Sequence, residues 1–337
     1  MGGILMETKK QKKIIICISG VAFLIVAGIL IWYFAIKIPM DKAYDEYSNT
    51  IKVYNEKIGR YNEVVLEYNE KANQIITANK ELEDFIDSAQ ALIDCGDIPY
   101  DSESMTTLNN ALKNARNNKC EMPEIYEKRE TMEADESLRN AFASEIKNVS
   151  ETLKIEMEET DSDIDVISNE STALSVADYT QIIAEIVDEK EQLEKSYAIQ
   201  KQITNPTQDF VLSKLNKVEG VANIACATEE NDPNGKLGKD GGYTAQVYFS
   251  SPLLGTETLA GANLIEAGTD AGGSIEVYAT VEAAETRNTY LSSFDGTIFD
   301  SGKHRVLGTM VVRVSTNLTA SKQDSFMNSI IEVMIEP

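Results

Sequence analysis

The run Ile14–Ile36, IIICISGVAFLIVAGILIWYFAI, constrains this chain more than any other stretch. It holds 23 residues with no charge and no proline, and Ser19 is its one plainly polar side chain. At about 1.5 Å of rise per residue, a helix of this length spans a hydrocarbon core of about 30 Å. Lipid cannot satisfy backbone polar groups, so the run must be helical. Lys9, Lys10, Lys12 and Lys13 precede it, and Trp32 and Tyr33 close it. That pattern puts the N-terminus on the cytoplasmic side and the aromatic rings at the outer headgroup level. A cleaved secretory signal has an apolar region of about 7–15 residues and a small-residue cleavage site. Here the run is longer, and Phe34 to Pro39 offers no such site. Cys17 follows Ile16 rather than a small residue, which argues against a lipoprotein. The expectation is an uncleaved single-pass anchor at 14–36, a cytoplasmic tail at 1–13, and the bulk of the chain outside the cell membrane.

Charge follows the same division. The chain carries −24, and residues 1–37 carry +4, which leaves −28 for the remainder. So acidic an ectodomain argues against binding nucleic acid or anionic surfaces. The stretch 121–170 has 16 acidic and 5 basic residues, the pattern of a solvated, self-repelling face or loop. Calcium or a basic partner is the sharper alternative. Four cysteines are too few for a disulfide scaffold. Cys17 falls in the anchor and Cys226 in an apolar strand. Cys95 and Cys120 each follow a predicted helix, so a bridge between them is a candidate staple.

Beyond Pro39, residues Tyr44, Tyr47, Ile51, Tyr54, Ile58, Tyr61, Val65, Tyr68, Ala72 and Ile75 alternate three and four apart. This is the seam of a left-handed coiled coil. The triplet Tyr-Asn-Glu recurs at 54–56, 61–63 and 68–70, and Asn79 occupies a seam position, where a polar residue fixes register. The seam continues through Leu82, Ile86, Ala89 and Ile93 until Gly96 and Pro99 end it. About 50 helical residues reach roughly 75 Å. The sequence leaves open whether the seam meets a second copy, making a homo-oligomer, or a later helix of the same chain. Asp101 caps a helix carrying Met105, Leu108 and Leu112. Leu138, Phe142, Ile146, Val149 and Leu153 mark another, Asp161 to Ser175 reads as a loop, and Asp178 caps a helix with Ile182, Ile186, Leu193 and Tyr197. Residues 38–203 are expected to form one elongated helical bundle, a stalk.

Within it, Leu82-x3-Ile86-x2-Ala89-x2-Leu92 followed by Tyr100-x3-Ser104-x3-Leu108-x2-Ala111-Leu112-x2-Ala115 resembles the first two helices of a FIVAR module. Such three-helix modules recur in Gram-positive surface proteins of the extracellular-matrix-binding (EbhA) type. The resemblance implies a third helix directly after the second.

From Pro206 the periods shorten. A short helix carries Phe210, Leu212 and Leu215, and a strand lies near Ile224–Ala227. A second strand, 243–250, alternates Tyr243, Ala245, Val247 and Phe249 against Thr244, Gln246, Tyr248 and Ser250. Another follows at Ile275 and Val277, a helix at Ala283–Leu291, one strand over Leu307–Val314, and a helix burying Phe326, Ile330 and Met334. Residues 205–337 are thus expected to form a small α+β sandwich with a mainly antiparallel sheet. Asn231-Asp232-Pro233-Asn234-Gly235 leading to Gly241-Gly242-Tyr243, Gly268 to Gly273 before Ile275-Glu276-Val277-Tyr278, and Arg287-x2-Tyr290-Leu291 are similar to a domain of Clostridia-type Gram-positive extracellular proteins. That resemblance implies a surface location and no particular reaction.

Two loops carry candidate ligands. Glu230-x-Asp232-x-Asn234-Gly235 has the alternating oxygens and turn glycine that open a calcium loop. The bidentate glutamate such a loop needs at its twelfth position is Gly241, and Lys236 and Lys239 oppose a cation. The competing reading is a loop shaped by its Asn, Asp and Gly residues. If the strands after the two loops run parallel, Asp232, Asp240 and Asp270 converge; if antiparallel, they lie at opposite ends. His304 is the single histidine, read as a solvated turn residue, and leaves no multi-histidine metal site. No Walker, G-x-S-x-G or H-E-x-x-H pattern occurs.

These features point to a membrane-anchored bacterial surface protein presenting an α+β domain to a cell-wall or extracellular partner, binding rather than catalysing. The alternatives are a scaffolding subunit of an envelope complex and, on the two loops alone, a metal-dependent extracellular enzyme. No cofactor is required, with Ca²⁺ the one candidate ion.

Overall fold

The computed structural model describes residues 20–254, 263–300 and 302–336. The expected tail 1–13 and the first part of the apolar run, with Cys17, lie outside the described residues. A helix of 74 residues, α1 (Gly20–Ile93), contains an exposed apolar window of mean hydropathy 2.4 near its start, long and apolar enough to cross a membrane. The helix does not break at Pro39. Instead it widens into a π-turn at Tyr33–Lys37, where the Ile38 N–H bonds the Tyr33 carbonyl. A proline ring crowds the carbonyl four residues before it, and the wide turn contains that residue, Ala35.

The chain forms two compact units, residues 1–81 with 119–179, and residues 82–118 with 180–337. A division at 204 is therefore not how the contacts fall. The helices α2 (Ser102–Asn118) and α4 (Thr180–Gln202) group with the C-terminal elements, while α3 (Ala143–Ala173) belongs to the first unit.

In the first unit the heptad seam of α1 is covered by its own chain. Tyr44, Tyr47 and Ile51 bury against Ile146 and Leu153 of α3, and Tyr61, Val65, Tyr68 and Ala72 against Ile164 and Ile167. The helix α3 runs through the segment expected to be a loop at 161–175. Its buried stripe is Ile146, Ser150, Leu153, Met157, Thr160, Ile164, Ile167 and Ser171, an unbroken three–four alternation. Three of its eight positions are hydroxyl residues, which hid the stripe from an apolar count.

Residues 119–135 lie extended beside these helices, and the repeated asparagines of α1 hold them. Asn55 Nδ2 donates to the Met132 carbonyl at 2.8 Å, and the Met132 N–H returns a bond to Asn55 Oδ1 at 2.9 Å. Asn62 does the same with Arg129, at 2.8 Å both ways. Asn69 does so with Tyr126, at 2.8 and 3.1 Å. Each step is seven residues along the helix and three along the strap. Seven helical residues advance about 10.5 Å and three extended ones about 9–10 Å, so the two repeats keep pace. The strap's side chains turn to α3: the Tyr126 hydroxyl donates to Glu170 at 2.7 Å, and Arg129 bonds Thr160 at 3.0 Å and Asp163 at 2.5 Å. Asn79 closes the series, donating to the Cys120 carbonyl at 3.0 Å and accepting from the Tyr179 hydroxyl at 2.7 Å.

In the second unit the last turns of α1 meet α2 and α4. Arg116 reaches Gln90 at 3.0 Å, Lys190 reaches Ser88 at 2.9 Å, and the Tyr197 hydroxyl reaches the Leu92 carbonyl at 3.3 Å. The helix that joins the first two is thus α4, after the 119–179 excursion, not one following directly. Cys95, Cys120 and Cys226 are free thiols, so the Cys95–Cys120 bridge is not formed. Cys95 and Cys120 belong to different units, each placed by its own unit's packing.

The rest of this unit is an α+β fold. The elements are α5 (Gln208–Leu215), β1 (Ile224–Cys226), β2 (Ala245–Ser250), α6 (Leu264–Ala267), β3 (Gly272–Val277), α7 (Val281–Ser292), β4 (His304–Leu307), β5 (Met310–Val314) and α8 (Ala320–Ile335). The sheet order is β1-β2-β3-β5-β4, and every pairing is antiparallel. The expected single strand at 307–314 is a hairpin, folded at Gly308-Thr309. Gly308 has φ +58°, and a Cβ there would meet the Ile203 carbonyl oxygen at 2.3 Å. One face of the sheet, with Val247, Phe249, Ile275, Val312 and Val314, packs with α5, α8 and Ile203 into the main core. The other face is covered by α7 through Ala284 and Leu291.

Candidate functional site

The face under α7 is where polar residues are buried. Alternation along β2, β3 and β5 puts Gln246, Ser274, Glu276 and Arg313 opposite the apolar core, where all four are buried. Glu276 is fully buried. Its carboxylate accepts from the Tyr278 hydroxyl at 2.8 Å, from Arg287 Nε at 2.7 Å and Nη2 at 2.9 Å, and from Arg313 Nη1 at 3.0 Å. Burial alone would raise its pKa, but the two guanidiniums and the hydroxyl hold it below the ordinary carboxylate range. Burial, with Glu276 beside it, drives the Tyr278 hydroxyl far above its ordinary value.

Across from α7 stands the loop 228–243. Asp232 organises it: its carboxylate accepts the backbone N–H of Asn234 at 3.1 Å, Lys236 at 2.6 Å and Leu237 at 2.9 Å, and the Tyr243 hydroxyl. Burial works to raise this carboxyl, and the Tyr243 hydroxyl with those N–H groups outweighs it, so Asp232 stays ionised below the usual range. Gly242 lets the loop close on itself, since a Cβ there would overlap the Lys236 carbonyl.

Between loop and helix lies a cleft of about 530 Å³, lined by Asn234, Lys236, Tyr243, Tyr278, Arg287 and Tyr290, with Gly241, Gly242, Ala283 and Thr286 between them. Ala283, Thr286, Arg287 and Tyr290 are one stripe of α7, at i, i+3, i+4 and i+7. The helix is set by Thr280, whose hydroxyl caps the Ala283 N–H at 3.2 Å. The Arg287 guanidinium lies 5.4 Å from the Tyr290 ring centroid. From the rim an aromatic ridge continues: Tyr290 meets Phe294 at 5.1 Å, and Phe294 meets Phe299 at 6.3 Å. Ile298 and Phe299 are 93 % and 70 % exposed.

The residues expected to form a site are not all brought together. Asp232 and Asn234 join at Tyr243, but as the loop's internal frame, with the Asp232 oxygens taken by protein donors. Glu230 and Asp240 are exposed on that loop. Asp270 is elsewhere: Ala245 pairs with Val277 and Ser250 with Gly272, so the loops before β2 and β3 open at opposite ends of the sheet. Antiparallel pairing therefore rules out a joint Asp232–Asp240–Asp270 site. Among the described residues no group of three or more His, Cys, Asp or Glu side chains is placed to hold a metal ion. His304 is not a solvated turn residue. It lies in β4 with its side chain 7 % exposed, bonded to Asn288 at 2.7 Å and Asp295 at 3.1 Å.

Glu276 and Arg313 escaped the sequence reading because alternating polar residues read as a solvent face. The signal that could have exposed them is the charge pair itself, one acid and one base on neighbouring apolar strands. The chain matches no family model, no curated protein and no solved structure.

Proposed function

We propose that this is a membrane-anchored surface protein whose α+β domain is a binding module, with the α7 cleft and its aromatic ridge as the contact face. The observation that carries it is the continuity of the cleft, through Tyr290 and the half-buried Phe294, with the open side chains of Phe299 and its chain neighbour Ile298, beside a concave, part-polar surface. Such a combination is the usual build of a recognition site. The helix Gly20–Ile93 supplies the anchor, and the acidic remainder suits an aqueous, extracellular setting. The partner belongs to the cell wall or the extracellular space.

The test uses the full chain in lipid nanodiscs, sedimented with purified wall fragments and, separately, with extracellular matrix proteins. Retention on one of them, reduced at least tenfold by Tyr290→Ala with Phe299→Ser, is the expected result. Equal retention of the double variant would remove the cleft from the reading.

A further inference from the structure

Resting on that reading of the cleft, we propose that its ligand is an anionic carbohydrate-like chain: a carboxylate or phosphate seated between Arg287 and Lys236, on a polyhydroxylated backbone lying along Tyr290.

Charge is the first argument. The chain has 55 acidic and 31 basic residues, yet the residues lining the cleft include Lys236 and Arg287 and no acid. Two of the nearby acids are engaged within the protein, while Asp240, Glu282 and Glu285 stand exposed outside the lining. Glu276 accepts from two arginines and a tyrosine, and Asp232 is occupied within its loop. One carboxylate shared by Arg287 and Arg313 leaves that buried group with a net charge of +1, and Lys236 forms no ion pair among the described residues. An anion entering the cleft therefore meets two positive charges whose counter-charge is incomplete.

Geometry is the second. A guanidinium has five N–H donors, and Glu276 takes Nε–H and one on Nη2 of Arg287, so three remain. The Glu276 bonds fix the plane of that fork, which makes Arg287 a pre-oriented receptor for a carboxylate or phosphate. The third argument concerns the rest of the lining. Tyr290 is 56 % exposed and offers an open ring face beside the arginine. The Thr286 hydroxyl donates to the Glu282 carbonyl at 2.7 Å, and its lone pairs remain free to accept. Flat rings with hydroxyls and a few fixed donors suit the C–H faces and hydroxyl edges of sugar-like units.

The experiment measures equilibrium binding to the full chain in nanodiscs for four probes of similar length: oligogalacturonate, oligo(glycerol phosphate), a neutral glucose oligomer and hexaglutamate. Binding of either anionic polyol at least tenfold tighter than the neutral oligomer and the peptide, weakening as salt rises, is the expected result. The two anionic arms decide between carboxylate and phosphate. Lys236→Gln, a change outside the buried network, is expected to weaken that binding several-fold, and Arg287→Lys more. Equal binding of the neutral oligomer, sensitive to Tyr290→Ala, would overturn the anionic ligand while keeping the cleft. Hexaglutamate binding as tightly as the polyols would overturn the carbohydrate half. No Tyr290-dependent binding of any probe would overturn both.

Discussion

Asn62 and Arg129 exchange a pair of hydrogen bonds, side-chain amide to backbone amide, at 2.8 Å in each direction. The pairing reads main chain only, so any residue with a free N–H and C=O satisfies it. What it fixes is position along the helix. Replacing Asn62 by alanine leaves a half-buried backbone donor and acceptor without partners, a loss of about 1–3 kcal/mol. Asn62→Asp keeps the acceptor but turns the donor into a negative oxygen facing the Arg129 carbonyl, so it should cost more. Urea unfolding of both variants checks the order, and an aspartate variant as stable as the parent would contradict it.

Glu276 is a buried carboxylate shared by two arginines and a tyrosine hydroxyl. Glu276→Ala strands two arginines beneath α7 and is expected to cost about 3–5 kcal/mol. The acid form is disfavoured in the fold, so this contribution is complete above the ordinary carboxylate pKa of about 4.3 and fades as pH falls through the lower folded value. At the alkaline end, Tyr243 and Tyr278 have pKa values raised by burial. Their contribution is complete below about pH 10 and declines as pH rises beyond it. Thermal melts across pH should show both edges, and the acid edge should be smaller in the Glu276→Ala variant, with Asp232 still contributing to it.

Beside that network, the Gln246 amide and the Ser274 hydroxyl are fully buried with no hydrogen-bond partner among the described residues. Such groups cost free energy without return, so Gln246→Met is expected to leave the melting temperature unchanged or raise it by a few degrees. A drop of more than about 2 kcal/mol would mean the amide has a role in the folded protein.

Ile203 ties the end of α4 to the sheet. It is buried in the main core, and its carbonyl accepts the Thr309 N–H at 3.0 Å. A fragment starting at 205 lacks this side chain and should be less stable than one starting at 180 by about 2–5 kcal/mol. Gly308→Ala in the full chain drives a methyl into the Ile203 carbonyl and should also destabilise it, by about 1–3 kcal/mol. Denaturant midpoints of the two fragments and the variant provide the comparison.

Cys95 is exposed and Cys120 half-buried. On the proposed reading of Gly20–Ile93 as an anchor with its lysine side in the cytoplasm, a membrane-impermeant maleimide should label Cys95 on intact cells, and Cys120 more slowly. Labelling that appears only after permeabilisation would reverse the topology.

Legibility followed the physics of each segment. The seam of α1 stood out because apolar side chains recur at the helical period, and the same rule gave β2, α7 and α8. The rule caught the start of α3, through Ile146 and Leu153, but lost its last turns, where Thr160 and Ser171 fill buried positions, and it missed the break at 307–314, where Gly308 folds one apolar run into two strands. It could not find the strap at all, because nothing apolar repeats there; its order comes from asparagines on another element. The cleft itself is not legible in the sequence. Asp232 and Asn234 stand out there only as a candidate cation loop, and Arg287 and Tyr290 only through the family resemblance; the meeting of loop and helix depends on strand pairing, and local pattern does not encode that.

The seven-to-three match between α1 and the strap has an evolutionary corollary. Length in this unit can change only in whole steps: seven residues added to α1 require three in the strap and seven in α3. A single-residue insertion in α1 or in the strap puts every later asparagine against the wrong peptide group. Viable relatives of this chain should therefore differ in length by whole steps of that ratio, with the Tyr-Asn-Glu triplet serving as the unit counted.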